Sequence, residues 1–136
     1  GAGANVRDWL HVDDHVAALR LIGESGAVGE TYLIGARCER TNIDLAETLC
    51  TALDEALPSG RPHRRLITRV ADRPGHDARY ALDPSLLERN LGWRPQLSLE
   101  HGLRDTVSWY LRNPEWCARA IAAGGLGRLG LARTTP

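Results

Sequence analysis

A strand that turns directly into a helix is encoded in Asn5-Val6-Arg7-Asp8-Trp9-Leu10-His11-Val12-Asp13-Asp14-His15. Val6–Val12 carries enough apolar and aromatic side chains to predict a strand. Asp13 or Asp14 is then suited to cap a helix that runs to about Glu24. A strand joined to a helix by so short a connection is typical of α/β proteins.

Strands and helices continue to alternate along the chain. We expect two further short strands, at Thr31–Ile34 and Leu66–Val70. Helices are expected to begin at Thr41 or Asn42, at Asp83 and at Ser98, with a helical turn at Trp116–Ala122. The predicted fold class is therefore α/β. Three short strands make a small sheet, which we expect a neighbouring domain to complete.

Composition excludes several classes of function. All 17 basic residues counted as Lys plus Arg are arginines, which rules out chemistry that needs a lysine, such as a Schiff base or a Tyr-Lys pair. The net charge of +0 gives no reason to expect nucleic acid as a partner. No apolar run is long enough to cross a membrane. The three separated cysteines indicate reduced thiols and a cytoplasmic location.

The absence of methionine, even at the start, predicts an excised domain, a processed product or a chain whose first residues were removed. Residues 1–122 are expected to form one domain. Residues 123–136 are expected to be a mobile Gly-rich tail. Gly125, Gly127 and Gly130 in this tail match a G-x-G-x-x-G string, but the string follows a helical segment rather than a strand, so we do not interpret it as a dinucleotide site.

A turn with binding chemistry is predicted in Asp72-Arg73-Pro74-Gly75-His76-Asp77-Ala78-Arg79-Tyr80. Proline presets φ and glycine tolerates a positive φ, so the chain should reverse at Pro74-Gly75. Arg73 would project from this bend, where a planar guanidinium suits a phosphate or diphosphate. The alternative is a surface turn whose arginine is only solvated.

Other polar residues have both a binding and a structural interpretation. Arg7 can reach a ligand phosphate from its strand, and Asp8 can orient a guanidinium or amide, or both can form a salt bridge at the strand end. Asn42 can cap a helix or offer its amide to a ligand. His11 and His15 have the spacing of a helical metal pair, but they fall on different elements, so no metal site is predicted.

These motifs together closely resemble the dTDP-glucose 4,6-dehydratases, which belong to the extended short-chain dehydrogenase/reductase (NAD-dependent epimerase/dehydratase) superfamily. The resemblance rests on Val6–His15, Asp72–Tyr80, Leu91-Gly92-Trp93-Arg94-Pro95 and Gly102–Leu111, in order and at matching spacing. It runs from about Gly1 to about Trp116. The chain resembles the small C-terminal α/β substrate-binding domain of these enzymes, with the Rossmann half absent.

The resemblance implies a site and a reaction. Arg7, Asn42, Asp72, Arg73, Pro74, Gly75 and His76 occupy substrate-binding positions, and the substrate is a dTDP-sugar nucleotide. The full-length enzyme uses NAD to convert dTDP-glucose to dTDP-4-keto-6-deoxyglucose and water, and is expected to be a homodimer. This chain would bind no cofactor and carry no catalytic residue, so alone it would be inactive. Two alternatives stay open: a stand-alone sugar-nucleotide-binding module, and part of another nucleotide-sugar epimerase or dehydratase.

Overall fold

A computed structural model describes residues 1–124. The strands are β1 (Val6–Asp8), β2 (Glu39–Thr41) and β3 (Arg79–Tyr80). The α-helices are α1 (Val12–Ser25), α2 (Asn42–Ala56), α3 (Ser85–Leu91), α4 (Leu99–Arg112) and α5 (Pro114–Gly124), and His63–Leu66 forms a 3-10 helix. The α/β class is confirmed. The G-x-G-x-x-G string and all but the first two residues of the predicted tail lie outside the described part.

The sheet has the order β2-β1-β3, with β1 in the centre. β1 runs antiparallel to β2, with Val6 opposite Thr41, and parallel to β3, with Val6 opposite Arg79. β1 is shorter than the predicted Val6–Val12, because the chain enters α1 at Val12. The sheet is thus mixed and very small.

The predicted helix starts are confirmed at two positions where a side-chain oxygen caps the helix. Thr41 Oγ1 accepts a hydrogen bond from Asp44 N at 3.1 Å, and Ser98 Oγ accepts one from His101 N at 3.2 Å. Both bonds satisfy an amide that the first helical turn leaves unpaired. The helical turn predicted at Trp116–Ala122 is also present, inside the longer α5.

Two other predicted helix starts are displaced. α1 is capped by His11, whose Nδ1 accepts from Asp13 N at 3.3 Å, and not by either aspartate. Asp14 instead lies inside the protein, where its carboxylate accepts from Gln96 N and Leu97 N, each at 3.0 Å. α3 has Pro84 rather than Asp83 as its cap residue, but Asp83 Oδ1 still accepts a hydrogen bond from Ser85 N, the first helical amide, at 3.1 Å.

Two predicted strands are wrong for the same physical reason. Thr31–Ile34 alternates between exposed and half-buried residues, but within residues 1–124 it has no neighbouring strand to complete a ladder. Leu66–Val70 begins in the 3-10 helix, which is held against α2 because His63 N and Nδ1 both contact Asp54 Oδ1. A strand requires a hydrogen-bonding partner that local sequence does not reveal.

The core lies between α1 and α3 and is small. Ala18, Leu87 and Trp93 are its buried centre. Partly buried apolar residues pack around them: Leu10, Leu21, Ile22, Tyr32, Ile34 and Leu91. The opposite side of α1 is exposed, with Val12, Val16 and Leu19 each more than half accessible. In the described part of the chain, no helix is long and apolar enough to cross a membrane.

Candidate functional site

Three segments that are distant in sequence meet at the beginning of β1. Because Val6 pairs with Thr41 on one side and with Arg79 on the other, the start of α2 and the loop before β3 flank it. Val6 N also donates to Ala78 O at 2.8 Å. This arrangement brings together the segments that carry Arg7 and Asn42 and the loop of residues 72–78. The sequence alone named these residues as candidates but did not show that their segments are neighbours.

Arg7 is held by neutral backbone oxygens. Its Nη1 donates to Val6 O at 2.6 Å and its Nη2 donates to Asp77 O at 3.0 Å. Arg79 on the neighbouring strand is different, since it donates to both carboxylate oxygens of Glu39, at 2.6 and 2.7 Å. Within residues 1–124 no carboxylate neutralises Arg7, so its charge remains available to an anion.

The loop that carries Arg73 is closed by a polar contact across the turn. Asp72 Oδ1 accepts from Arg73 N at 2.9 Å and contacts His76 Nδ1 at 2.8 Å. The hydrogen bond from His76 is the main reason that the pKa of Asp72 is lowered. Gly75 follows Pro74 in the turn with a φ of 65°, as predicted for this dipeptide. Arg73 is exposed, and its guanidinium has no partner among the described residues.

Asn42 does not cap its helix. Thr41 is the cap, so the capping interpretation of Asn42 is wrong. The backbone N–H of Asn42 donates to Asn5 O at 3.0 Å. Its side-chain amide has no hydrogen-bond partner in the described part, which leaves both amide donors and the oxygen free for a ligand.

Asp8 anchors backbone rather than a ligand. Its Oδ2 accepts from Ala36 N at 3.0 Å and Arg37 N at 3.3 Å, and its Oδ1 accepts from Cys38 N at 2.8 Å. Arg37 has a φ of 53°, and the successive amides around it form a concave site that the carboxylate fills. Asp8 therefore orients amides, and it forms no salt bridge with any residue of the described range 1–124.

Neither a metal cluster nor the main groove of the described part contains the predicted binding residues. Among residues 1–124, no group of three or more His, Cys, Asp or Glu is arranged to hold a metal ion. An open groove of about 950 Å³ lies along α4, with Trp9, His11, Trp109 and Trp116 in its walls. None of the seven predicted binding residues lines this groove. We place the candidate site at the beginning of β1, because strand pairing and backbone hydrogen bonds bring together there the segments that carry Arg7, Asn42 and Arg73.

Sequence reasoning missed one residue of this site. Asn5 precedes β1 and was given no role, yet its side-chain Nδ2 donates to Asp77 O at 3.0 Å. No sequence signal marks it, since an asparagine before a strand is unremarkable and its partner is a backbone oxygen far along the chain.

Comparison with known proteins identifies related chains. A family model described as GDP-mannose 4,6 dehydratase matches residues 1–106. The dTDP-glucose 4,6-dehydratase 1 of Escherichia coli strain K12 is 51% identical over 116 residues, which cover 85% of this chain and 32% of that protein. This chain therefore spans about a third of that relative's length.

Solved structures of related enzymes also match this chain. The dTDP-glucose 4,6-dehydratase of Streptomyces venezuelae, solved with NAD bound, matches with a TM-score of 0.76 and 44% identity, over 85% of this chain and 34% of that one. The UDP-glucose 4-epimerase of Thermotoga maritima, solved with UDP-glucose, matches with a TM-score of 0.69 and 31% identity, over 84% of this chain and 34% of that one. The predicted resemblance and the predicted fold are confirmed.

Proposed function

The chain belongs to the GDP-mannose 4,6-dehydratase family, and on that premise we propose that it is the sugar-nucleotide-binding C-terminal part of a dTDP-glucose 4,6-dehydratase. The observation that carries the proposal is the contact of Arg7 with Asp77 O, which puts one guanidinium beside the loop that bears another. The full-length protein would convert dTDP-glucose to dTDP-4-keto-6-deoxyglucose and water.

In this proposal the two arginines bind the diphosphate. Guanidinium groups match phosphate oxygens with paired N–H donors, and neither Arg7 nor Arg73 is committed to a carboxylate within residues 1–124. Asn42 contributes its unpaired side-chain amide. Asp72, Pro74, Gly75 and His76 shape the loop, with the Asp72–His76 contact keeping the turn closed.

NAD does not fit the described residues. A dinucleotide diphosphate needs a Gly-rich turn between a strand and a helix. The connection between β1 and α1 is Trp9-Leu10-His11, which has no glycine, and its backbone amide at Trp9 is used by Cys38 O at 3.1 Å. We therefore assign NAD to a Rossmann domain in the rest of the full-length protein. The chain alone would then be catalytically inactive.

Two features of the fold support a missing domain. Thr31–Ile34 has the alternation of a strand without a partner in the described part, and α1 exposes an apolar stripe of Val12, Val16 and Leu19. A domain packed against them would cover this surface. We also propose a homodimer and a cytoplasmic location for the full-length protein; the free thiols of Cys38, Cys50 and Cys117 are compatible with a reducing compartment.

Calorimetry tests the substrate class. We expect the full-length protein to bind dTDP-glucose more tightly than UDP-glucose, and the purified 136-residue chain supplied with NAD to show no turnover of dTDP-glucose. Tighter binding of UDP-glucose would favour the second candidate, another nucleotide-sugar enzyme, for which the likeness to the Thermotoga maritima epimerase is the specific support. Turnover of dTDP-glucose by the chain alone would refute the proposal that the chain is catalytically inactive.

The upstream coding sequence tests the third candidate, a stand-alone sugar-nucleotide-binding module. A Rossmann domain encoded in frame before Gly1 supports the dehydratase proposal. A native gene that encodes only this region would support the module instead.

A further inference from the structure

Asn5 bonds to the first residue of α2 and to the loop that bears Arg73, and we propose that it is the positioning residue that sets the separation of the two diphosphate-binding arginines. This inference rests on the proposed function. It adds a residue that contacts no ligand itself and that acts through the backbone of the loop bearing Arg73.

The first contact joins Asn5 to the loop. Its Nδ2 donates to Asp77 O at 3.0 Å, across a separation of 72 residues in sequence. Asp77 follows His76 directly, so this bond fixes the end of the turn that Asp72 and His76 close. Because Val6 N donates to Ala78 O, the loop is attached to the beginning of β1 at two successive residues.

Asn5 and Arg7 are linked indirectly, through one shared acceptor. Asp77 O accepts from Asn5 Nδ2 and also from Arg7 Nη2, each at 3.0 Å. A carbonyl oxygen has two lone pairs, so these two donors satisfy it. The same oxygen therefore orients the guanidinium of Arg7 and receives the bond by which Asn5 holds the loop.

The second contact joins Asn5 to α2. Its backbone oxygen accepts from Asn42 N at 3.0 Å, at the first residue of the helix. Asn5 thus links Asn42 through its backbone and the Arg73 loop through its side chain. In the part of the chain that the structure describes, it bonds to the backbone of both segments.

The chemistry of the side chain explains why asparagine suits this position. A carboxamide donates a hydrogen bond without adding charge, so Arg7 keeps its full positive charge for a phosphate. An aspartate would have the same shape but no donor, and its charge beside Arg7 would compete with the ligand.

A double-mutant cycle tests the inference in the full-length protein, with thymidine diphosphate as the probe and calorimetry as the measurement. We expect Asn5→Ala to raise Kd about three- to tenfold, which corresponds to one net hydrogen bond. In an Arg73→Ala background we expect the same substitution to change Kd less than about twofold, because no second guanidinium is left to place. An equal effect in both backgrounds, or none in the first, would overturn the inference.

Asn113 provides a matched control. Its Nδ2 also donates to a backbone oxygen, that of Trp109 at 2.7 Å, at the end of α4. We expect Asn113→Ala to leave Kd unchanged. Asn5→Gln, which keeps a carboxamide donor, should bind the probe more tightly than Asn5→Ala, and a Gln variant no better than Ala would contradict a positioning role.

Two further outcomes separate this inference from the function on which it rests. Weaker binding by Arg73→Ala together with a neutral Asn5→Ala would overturn the role of Asn5 alone. No binding of thymidine diphosphate by the unmodified protein would overturn both.

If Asn5→Ala fails to fold, the isosteric Asn5→Asp replaces it. We expect Asn5→Asp to weaken binding of thymidine diphosphate more than tenfold at low salt. Unchanged binding would overturn the inference.

Discussion

Arg7 and Asp77 are joined by a hydrogen bond of 3.0 Å from Nη2 of the arginine to the backbone oxygen of the aspartate. The bond connects the central strand of the sheet to the loop that holds Arg73. The loop that bears Arg73 is therefore attached at the end of the sheet where β1 begins.

Removing the guanidinium of Arg73 should weaken sugar-nucleotide binding. We expect Arg73→Ala to cost ~1.5–3 kcal/mol of binding free energy, the range for hydrogen bonds to a charged group. Arg73→Lys should also weaken binding, because an ammonium cannot donate two parallel bonds. Calorimetry on the full-length protein measures both. Arg89→Ala, at an exposed arginine on α3, is the control, and unchanged affinity for Arg73→Ala would remove Arg73 from the site.

The Asp72–His76 contact should be visible as a displaced titration. The pKa of Asp72 is lowered chiefly by the hydrogen bond from His76, so its NMR carboxyl titration should have a midpoint below the ordinary value of 3.8. A lowered carboxyl pKa means that this contribution to stability is complete above pH 3.8 and is lost as the pH falls through the folded-state pKa.

Removing the imidazole of His76 tests whether it causes the lowered pKa of Asp72. His76→Ala should move the Asp72 midpoint back toward 3.8, whereas His101→Ala, which removes the histidine of the 3.3 Å pair with Asp105, should not. If His76→Ala left the titration midpoint of Asp72 unchanged, the Asp72–His76 contact would not close the loop.

Adjacent aspartates in α1 should differ sharply in their effect on stability. Asp14 is 5% exposed and accepts two backbone hydrogen bonds, so Asp14→Ala should lower the free energy of unfolding by about 1–3 kcal/mol. Asp13 has a side chain that is 81% exposed, and Asp13→Ala should cost about 0.5 kcal/mol or less. Urea unfolding of both variants checks this, and equal losses would be incompatible with the burial of Asp14.

Two helical glycines should respond to alanine with opposite signs. A Cβ at Gly102 would lie 2.9 Å from His11 Cδ2, so Gly102→Ala should destabilise the protein by about 1–2 kcal/mol. A Cβ at Gly23 meets nothing within 4 Å, so Gly23→Ala should stabilise it by about 0.5–1 kcal/mol. Thermal unfolding compares them, and a stabilising Gly102→Ala would disprove the close approach of α4 to His11.

Helix boundaries and the turn were accessible from sequence because their causes are local. Thr41 and Ser98 each cap with an oxygen that accepts from an amide three residues further along the chain. Gly75 adopts the positive φ that its place after Pro74 predicted. The start of α1 also has a local cause. His11 caps the helix by accepting from Asp13 N, although the predicted cap was Asp13 or Asp14.

The strands, and the way the site is assembled, were not accessible in this way. Only β1 overlaps a predicted strand, because β2 and β3 are defined by their pairing with it and not by apolar content. The binding groups of Arg7, Asn42 and Arg73 could be named from their chemistry and from family resemblance. The contacts that join their segments, including those of Asn5, are hydrogen bonds between residues far apart in sequence. Local interactions depend on residues that are close in sequence and can therefore be predicted from it. Contacts across the sheet join residues that come together only when the chain folds.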